Sequence, residues 1–515
     1  MRKIFLITVL LFLIGFSSML YGQAVAKFSS KTDSAGRARS MIKLAQSSVD
    51  YYTKTFTYKG LKPEAKVRMH LERSGAYVIL RKFDKAIDDC TAAIAINPKS
   101  GEAYATRGNI YNKIYKDEPA IADYRKAIQY ITTTEDKAQL YNLIARSYIN
   151  TKEYDKAVSA DSMAIVLNPK FARAYASRAE AYGRLGKFQL AINDLLPAMY
   201  GFQDNARALS VLLMQRADMK RALKQYKESI NDYSLALKLN PDNGLAYWNR
   251  AASYRQNGDY QLAYEDYSKA ISYFKNDRMQ LARLYDDRAL MEVGLQQYQQ
   301  AIADDSVAIS LDTAYRVAYY NKANARAQNG EYTRSNAEFK KTIPYYMNNP
   351  LAMTSIYSSM AHNEYFLNNY QTAIDYCTKA IALNTADWSP YFERGRAYLK
   401  MNNKDLAVND FKEILARDTS KQSADYAFSL YYTGNPGKAV EVMQSSFLKT
   451  NDTFVLMGDY YNMACLYAVM NKPGEANNFL KKCIDGGYNK KYALTDGDFD
   501  NIRNTAEFKI ILGIK

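Results

Sequence analysis

A chain of 515 residues with 48% apolar side chains can bury a large core, and its 24% of charged residues keep the remaining surface in water. The formal charge of +16 comes from 69 basic and 53 acidic residues spread along the whole length. No basic run gathers them, so a solvated surface is expected and nucleic acid is not the expected partner.

The first segment, MRKIFLITVLLFLIGFSSMLYGQAVA, places Arg2 and Lys3 before an apolar run from Ile4 to Ile14 and ends in small residues. It reads as a secretory signal peptide over 1–22, with cleavage after Gly22 or as late as Ala26. An uncleaved membrane anchor is the competing reading, disfavoured because the run is short for a bilayer. No later segment approaches a membrane span, so none is expected in the mature chain. Arg2 and Lys3 leave with the signal, so +16 becomes +14. The expected location is exported, periplasmic or secreted. Residues 27–62 follow, and RARSMIKLAQSSVDYYTKT within them predicts an amphipathic capping helix.

From 63 to 485 one pattern recurs twelve times. An Ala or Ser between an aromatic-bearing turn and an apolar run stands at Ala86, Ala120, Ala157, Ala191, Ser229, Ala263, Ala301, Ser335, Ala373, Ala407, Ala439 and Ala476. The intervals run 34, 37, 34, 38, 34, 38, 34, 38, 34, 32 and 37, a helix-turn-helix period. The added residues fall in ITTTEDKAQ, YGFQDNARA, FKNDRMQLA and YYMNNPLAM. Because a helical turn takes about 3.6 residues, such an insertion predicts a longer helix at alternate junctions without rotation of its apolar face.

Sixteen residues separate an arginine on the first helix from an aspartate on the second in seven copies. The pairs are Arg73 with Asp89, Arg107 with Asp123, Arg178 with Asp194, Arg216 with Asp232, Arg250 with Asp266, Arg288 with Asp304 and Arg394 with Asp410. An eighth copy has Lys322 with Glu338. Four carry Ile144 with Ala160, Met360 with Tyr376, Tyr426 with Val442 and Met463 with Phe479. No copy keeps one charge without the other. A catalytic dyad would not be replaced by hydrocarbon, whereas a structural ion pair would, because only the loss of a single partner strands a charge. Arg107, Asp123, Arg178, Asp194, Arg250 and Asp266 are therefore expected to be structural ion pairs.

The frame resembles the tetratricopeptide repeat. The resemblance rests on the aromatic opening helix A (Tyr104, Tyr175, Tyr247), its small middle residue (Gly108, Ala179, Ala251) and the tyrosine after it (Tyr111, Tyr182, Tyr254). Helix B adds Phe188 or Tyr260 at its entry, the pair Ala263 and Ala270, and a closing Asn97-Pro98, Asn168-Pro169 or Asn240-Pro241. The resemblance implies an all-α fold: a helix-turn-helix solenoid wound as a right-handed superhelix of about 12 repeats, with a concave groove for protein or peptide partners. Family groove positions hold Asn109, Asn112, Lys113, Arg146, Arg184, Trp248, Arg255, Tyr320, Asn324, His362, Tyr365, Phe392 and Arg396, polar and aromatic residues that anchor peptides. The Lys/Asn/Arg clamp with which some members hold a C-terminal carboxylate does not recur in register. Residues 486–515 are similar to the turn and capping helix that often finish such arrays.

Little is left for chemistry. The two histidines, His70 and His362, lie eight repeats apart and cannot share a metal. TGNPGK, Thr433 to Lys438, lacks the glycine spacing and the Ser/Thr of a phosphate loop and is expected to be a turn. DGDFDNIRNTAE, Asp496 to Glu507, has carboxylates at the spacing of a calcium loop, but Asn501 stands where the sharp turn needs glycine. Cys90, Cys377, Cys465 and Cys483 are expected to be free thiols, and most of the 46 tyrosines, such as Tyr124, Tyr233 and Tyr267, to be core. The expectation is an exported scaffold with no catalytic site, cofactor or metal. Recognition of an anionic envelope glycan or lipid by the basic surface is the alternative.

Overall fold

The computed structural model describes residues 34–58, 60–446 and 453–514; the segment expected to be a signal peptide, with its expected cleavage points, lies outside the described residues. These residues are helical without any strand, and the chain divides into two compact units, one ending at Asn240 and the other beginning at Pro241. In the first unit α1 (Ser34–Thr55) precedes five hairpins: α2/α3 (Pro63–Ile79, Phe83–Ile96), α4/α5 (Gly101–Lys113, Asp117–Tyr130), α6/α7 (Thr134–Asn150, Tyr154–Leu167), α8/α9 (Ala172–Arg184, Phe188–Gly201) and α10/α11 (Ala206–Ala222, Tyr226–Leu239). The second unit has α12/α13 (Gly244–Asn257, Tyr260–Tyr273), α14/α15 (Arg278–Gly294, Tyr298–Leu311), α16/α17 (Arg316–Gln328, Tyr332–Tyr346) and α18/α19 (Pro350–Phe366, Tyr370–Leu383). It continues with α20/α21 (Ser389–Lys400, Lys404–Arg417), α22/α23 (Ala424–Tyr432, Pro436–Ser446) and α24/α25 (Thr453–Val469, Pro473–Asp485). It ends with α26 (Lys491–Thr495), a 3-10 turn (Gly497–Phe499) and α27 (Ala506–Leu512).

All twelve anchor residues are fully buried, because each lies where a second helix crosses its own first helix and only a small side chain fits. Around them pack Tyr124, Tyr233, Tyr267, Phe339 and Phe411, all but excluded from water. The inserted segments do lengthen alternate first helices: α6, α10, α14 and α18 have 17 residues, while α4, α8, α12, α16 and α20 have 12 to 14. Each insertion also supplies the cap. The side chains of Thr133, Asn205, Asp277 and Asn349 accept the backbone N–H groups of Asp136, Ala208, Gln280 and Ala352, donors that would otherwise lack a partner at a helix start.

Every hairpin turns through one left-handed residue. Four are glycines (Gly186, Gly258, Gly330, Gly434), and eight are not: Arg81, Tyr115, Lys152, Lys224, Gln296, Asn368, Asn402 and Asn471, with φ between 56° and 64°. After each, an N–H reaches back five residues to a carbonyl, as Lys116 does to Tyr111 at 2.9 Å, closing the first helix with a Schellman motif. That closure explains why the turn tolerates side chains where glycine would be easier.

The sixteen-residue pairs close across the hairpins as two-pronged ion pairs. Arg107 Nε and Nη2 lie 2.8 Å from the two oxygens of Asp123. Arg178 grips Asp194 in the same way at 2.7 and 2.8 Å, and Arg250 grips Asp266 at 2.6 and 2.8 Å. Arg73, Arg216, Arg288 and Arg394 repeat the geometry. Asp123, Asp194 and Asp266 are buried, 5%, 7% and 4% exposed, so these carboxylates brace the hairpins and are closed to a partner. Lys322 sits 3.7 Å from Glu338, as a point charge must where the planar fork is missing. A further N–H was not anticipated from sequence. Arg107 and Arg178 also donate to Thr91 and Ser162, at 3.0 and 2.9 Å, on the second helix of the preceding hairpin, so each brace ties two repeats together.

Candidate partner-binding surface

In each unit some first helices touch the first helix of the next hairpin, α2 with α4 and α6 with α8 in the first, α14 with α16 and α18 with α20 in the second. In the first unit this face opens into a cleft of about 470 Å³ across α6, α8 and α10. Its polar lining is Asn142 and Arg146 from α6, Arg173, Ser177 and Glu180 from α8, and Asn205, Arg207 and Gln215 at and along α10; Ala176, Phe202, Ala208, Val211 and Leu212 complete it. Val211 is half exposed although apolar. Beneath the cleft, buried Asp161 accepts from Asn142 Nδ2 at 2.7 Å, and burial pushes its carboxyl up to about 7 against that hydrogen bond. The dominant charge at the opening is therefore that of the three arginines.

In the second unit the corresponding face is covered by the chain itself. The backbone oxygen of Gly487 accepts from Gln296 Nε2 at 2.7 Å, just beyond α14, and the hydroxyl of Tyr492 donates to the backbone oxygen of Gln328 at 3.1 Å, at the end of α16. Further along, Arg396 on α20 lies 2.8 Å from Asp496 and 3.3 Å from Asp498, and Lys400 lies 2.6 Å from Asp500 and 3.2 Å from the Gly497 oxygen. The guanidinium rests on the Tyr365 ring at 4.4 Å, and Tyr461 donates to Asp496 at 3.1 Å. Burial, with the Asp496 charge beside it, raises the Asp498 carboxyl above the usual carboxylate range, against the pull of Arg396. Burial opposes the Glu393 charge, but His362, 2.8 Å away, and Arg396 outweigh it and hold that carboxyl down at about 2.

This arrangement answers the calcium-loop spacing. Asp496, Asp498 and Asp500 are paired with Arg396, Lys400 and Arg503, and Glu507 accepts from Asn477. Cys465 approaches Asp496 and Asp498 closely enough to suggest a metal triad, yet the guanidinium already supplies the cation there. The histidines are likewise engaged, His70 with Asp89 at 2.8 Å and His362 with Glu393. All four cysteines are free and buried.

The groove residues nominated from sequence divide into three groups. Arg146 lines the open cleft, and Lys113 and Arg184 are exposed outside it. Several are engaged within the fold: Asn109 accepts from Tyr124 at 2.9 Å, Asn112 donates to Asp117 and Ser147, Trp248 donates to Asp287 at 2.9 Å, and Arg255 lies 3.7 Å from the same carboxylate. Tyr320 packs edge-on against Phe339, and Asn324 is half-buried. Tyr365, Phe392 and Arg396 require correction as open contacts. They are 4%, 8% and 7% exposed, because the C-terminal segment covers them and Phe392 packs on Phe428. Sequence reasoning missed Arg173 and Arg207 for a definite reason. Every nominated residue stands between seven and fifteen residues before its anchor, as Arg146 does at eleven before Ala157, whereas Arg173 stands eighteen before Ala191 and Arg207 twenty-two before Ser229, outside that range.

Comparisons with known proteins agree with the repeat. A model described as TPR repeat matches residues 217–258, and one described as tetratricopeptide repeat matches 138–160, 245–277 and 389–420. Human tetratricopeptide repeat protein 6 is 29% identical over 200 residues, covering 38% of this chain and 36% of its own length. The human mitochondrial import receptor subunit TOM70 is 22% identical over 456 residues, 81% of this chain and 67% of that protein. The chain thus spans about a third of the first relative. Among solved structures, the C-terminal part of a TPR repeat-containing protein from Cytophaga hutchinsonii aligns over 49% of this chain and 98% of its own at 16% identity, with a TM-score of 0.42. With the matched repeats and the helical hairpins that carry them, the chain belongs to the tetratricopeptide repeat family.

Proposed function

We propose that the chain is an exported scaffold that binds protein or peptide partners on the first-helix face of its first unit. The observation that carries this reading is the open cleft across α6, α8 and α10, where cations and an exposed apolar side chain stand together. Such a mixture suits partner recognition more than catalysis, since both histidines are engaged by carboxylates. Export rests on the charged and apolar pattern of residues 1–26. No helix of the described residues is long and apolar enough to cross a membrane.

A photo-crosslinking residue placed at Val211, and separately at Val166 on α7, tests the surface in producing cells. A discrete adduct at 211 and not at 166 is expected, and identical patterns at both positions would refute the cleft. Sequencing the N-terminus of the exported form should give Gln23 or Lys27; a chain that retains Met1 would overturn the processing.

A further inference from the structure

The cleft draws its three arginines from three hairpins and opposes them with one carboxylate, Glu180. Asp161, pushed up to about 7, adds only a partial charge beneath. Burial, and then the neighbouring Arg146 charge, pull the Arg173 guanidinium below its usual range. An anion seated between these two would relieve that repulsion.

The second unit supplies a worked precedent within the same chain. There a basic pair, Arg396 and Lys400, holds the acidic turn of Asp496, Asp498 and Asp500, with the guanidinium lying on the rings of Tyr365 and Phe392. The first-unit cleft has the same two ingredients, guanidinium groups at the opening and an apolar floor of Phe202, Val211 and Leu212. A guanidinium fork matches a carboxylate with two parallel hydrogen bonds, which favours acidic side chains. Packed helices lie roughly 10 Å apart, so the three arginines span on the order of 20 Å. About six residues of extended chain cover that distance.

We infer that the first-unit cleft binds an extended acidic segment of a partner protein, with carboxylates on Arg146, Arg173 and Arg207 and an apolar side chain against Phe202 and Val211. This rests on the reading of the chain as a scaffold for protein partners and names the chemistry of the segment it takes.

The test uses the full exported chain and three fluorescein-labelled octapeptides with a central leucine, flanked by glutamate, glutamine or lysine. Fluorescence anisotropy should give at least tenfold tighter binding for the glutamate peptide than for either other. Arg146→Ala, Arg173→Ala and Arg207→Ala combined should lower that affinity at least tenfold with an unchanged melting temperature. A control triple of exposed lysines, Lys116→Ala, Lys126→Ala and Lys170→Ala, should leave it within twofold. Equal binding of the glutamine peptide, abolished by Val211→Asp, would overturn the acidic partner while leaving the scaffold reading intact. Binding of phosphatidylglycerol vesicles through the same arginines, without peptide binding, would overturn the peptide occupant in favour of a lipid surface. Absence of all binding would overturn the inference, and the adduct at residue 211 would still decide the scaffold reading.

Discussion

Removing one member of a brace should hurt far more than removing both, and the pair of Arg107 and Asp123 is the place to measure it. Asp123→Leu takes away the acceptor for two N–H groups now at 2.8 Å. The stranded guanidinium keeps its bond to Thr91 at 3.0 Å and is 18% exposed, so the cost should fall at the low end of the usual range for a broken buried pair, about 3 kcal/mol. Arg107→Met strands an aspartate whose side chain is only 8% exposed and should cost about 4 kcal/mol. The double variant leaves Met facing Leu, much as Met360 and Met463 stand fully buried in the uncharged copies. It should recover most of the loss, with a remaining cost of about 1 kcal/mol, which corresponds to a coupling of about 6 kcal/mol between the two sites. Stacked repeats need not unfold in one step. The assay is therefore urea unfolding read by amide exchange in α4 and α5, alongside the melting temperature, which should drop by about 6 to 12 °C in either single variant. Equal damage in single and double variants would refute the brace.

Three more outcomes follow from the geometry. Burial first, then the charge and hydrogen bond of Asp286, push the Asp305 carboxyl up to about 10. An unfolded aspartate loses its proton near pH 4, at about 3.9, so the stability this group gives the second unit is full below that pH and is lost as pH rises through about 10. Asp305→Asn should then melt higher than the parent at pH 8, with the gap narrowing toward pH 4; a constant gap would contradict the assignment. Tyr115, 86% exposed at φ 60°, needs no side chain for packing, and Tyr115→Gly should raise stability by about 0.5 to 1 kcal/mol in urea unfolding; a loss would mean that the ring contributes packing after all. Burial raises the Cys90 and Cys483 thiols to about 12 and drives Cys377 and Cys465 well above their ordinary value, so a thiol reagent at pH 8 should label all four only after denaturant is added. Rapid native labelling of any one would show that its helix opens.

The sequence by itself determined what repeats. Small residues at a period near 34, a charge pair at a fixed offset and insertions of about one turn are local constraints. A small side chain is demanded wherever two helices cross, and an isolated buried charge is intolerable, so these features recur in every copy that needs them. Asp194 and Asp266 were legible in this way, each from the arginine sixteen residues before it. The same logic exposed the alternation of long and short first helices, though not the caps at Thr133, Asn205, Asp277 and Asn349 that start the long ones. The eight left-handed turn residues other than glycine were illegible too. A Schellman closure fixes the backbone there, and the side chain, pointing to solvent in the case of Tyr115, leaves no pattern. Only the tertiary structure decided which surface stays open. Arg396 and Arg146 each stand eleven residues before an anchor, Ala407 and Ala157, yet one is sealed by a segment a hundred residues away in sequence and the other lines a cleft with Arg173 and Arg207. The physical reason is that a binding surface is assembled from different frame positions on successive helices and can be covered by distant chain, whereas a core position depends chiefly on the crossing beneath it.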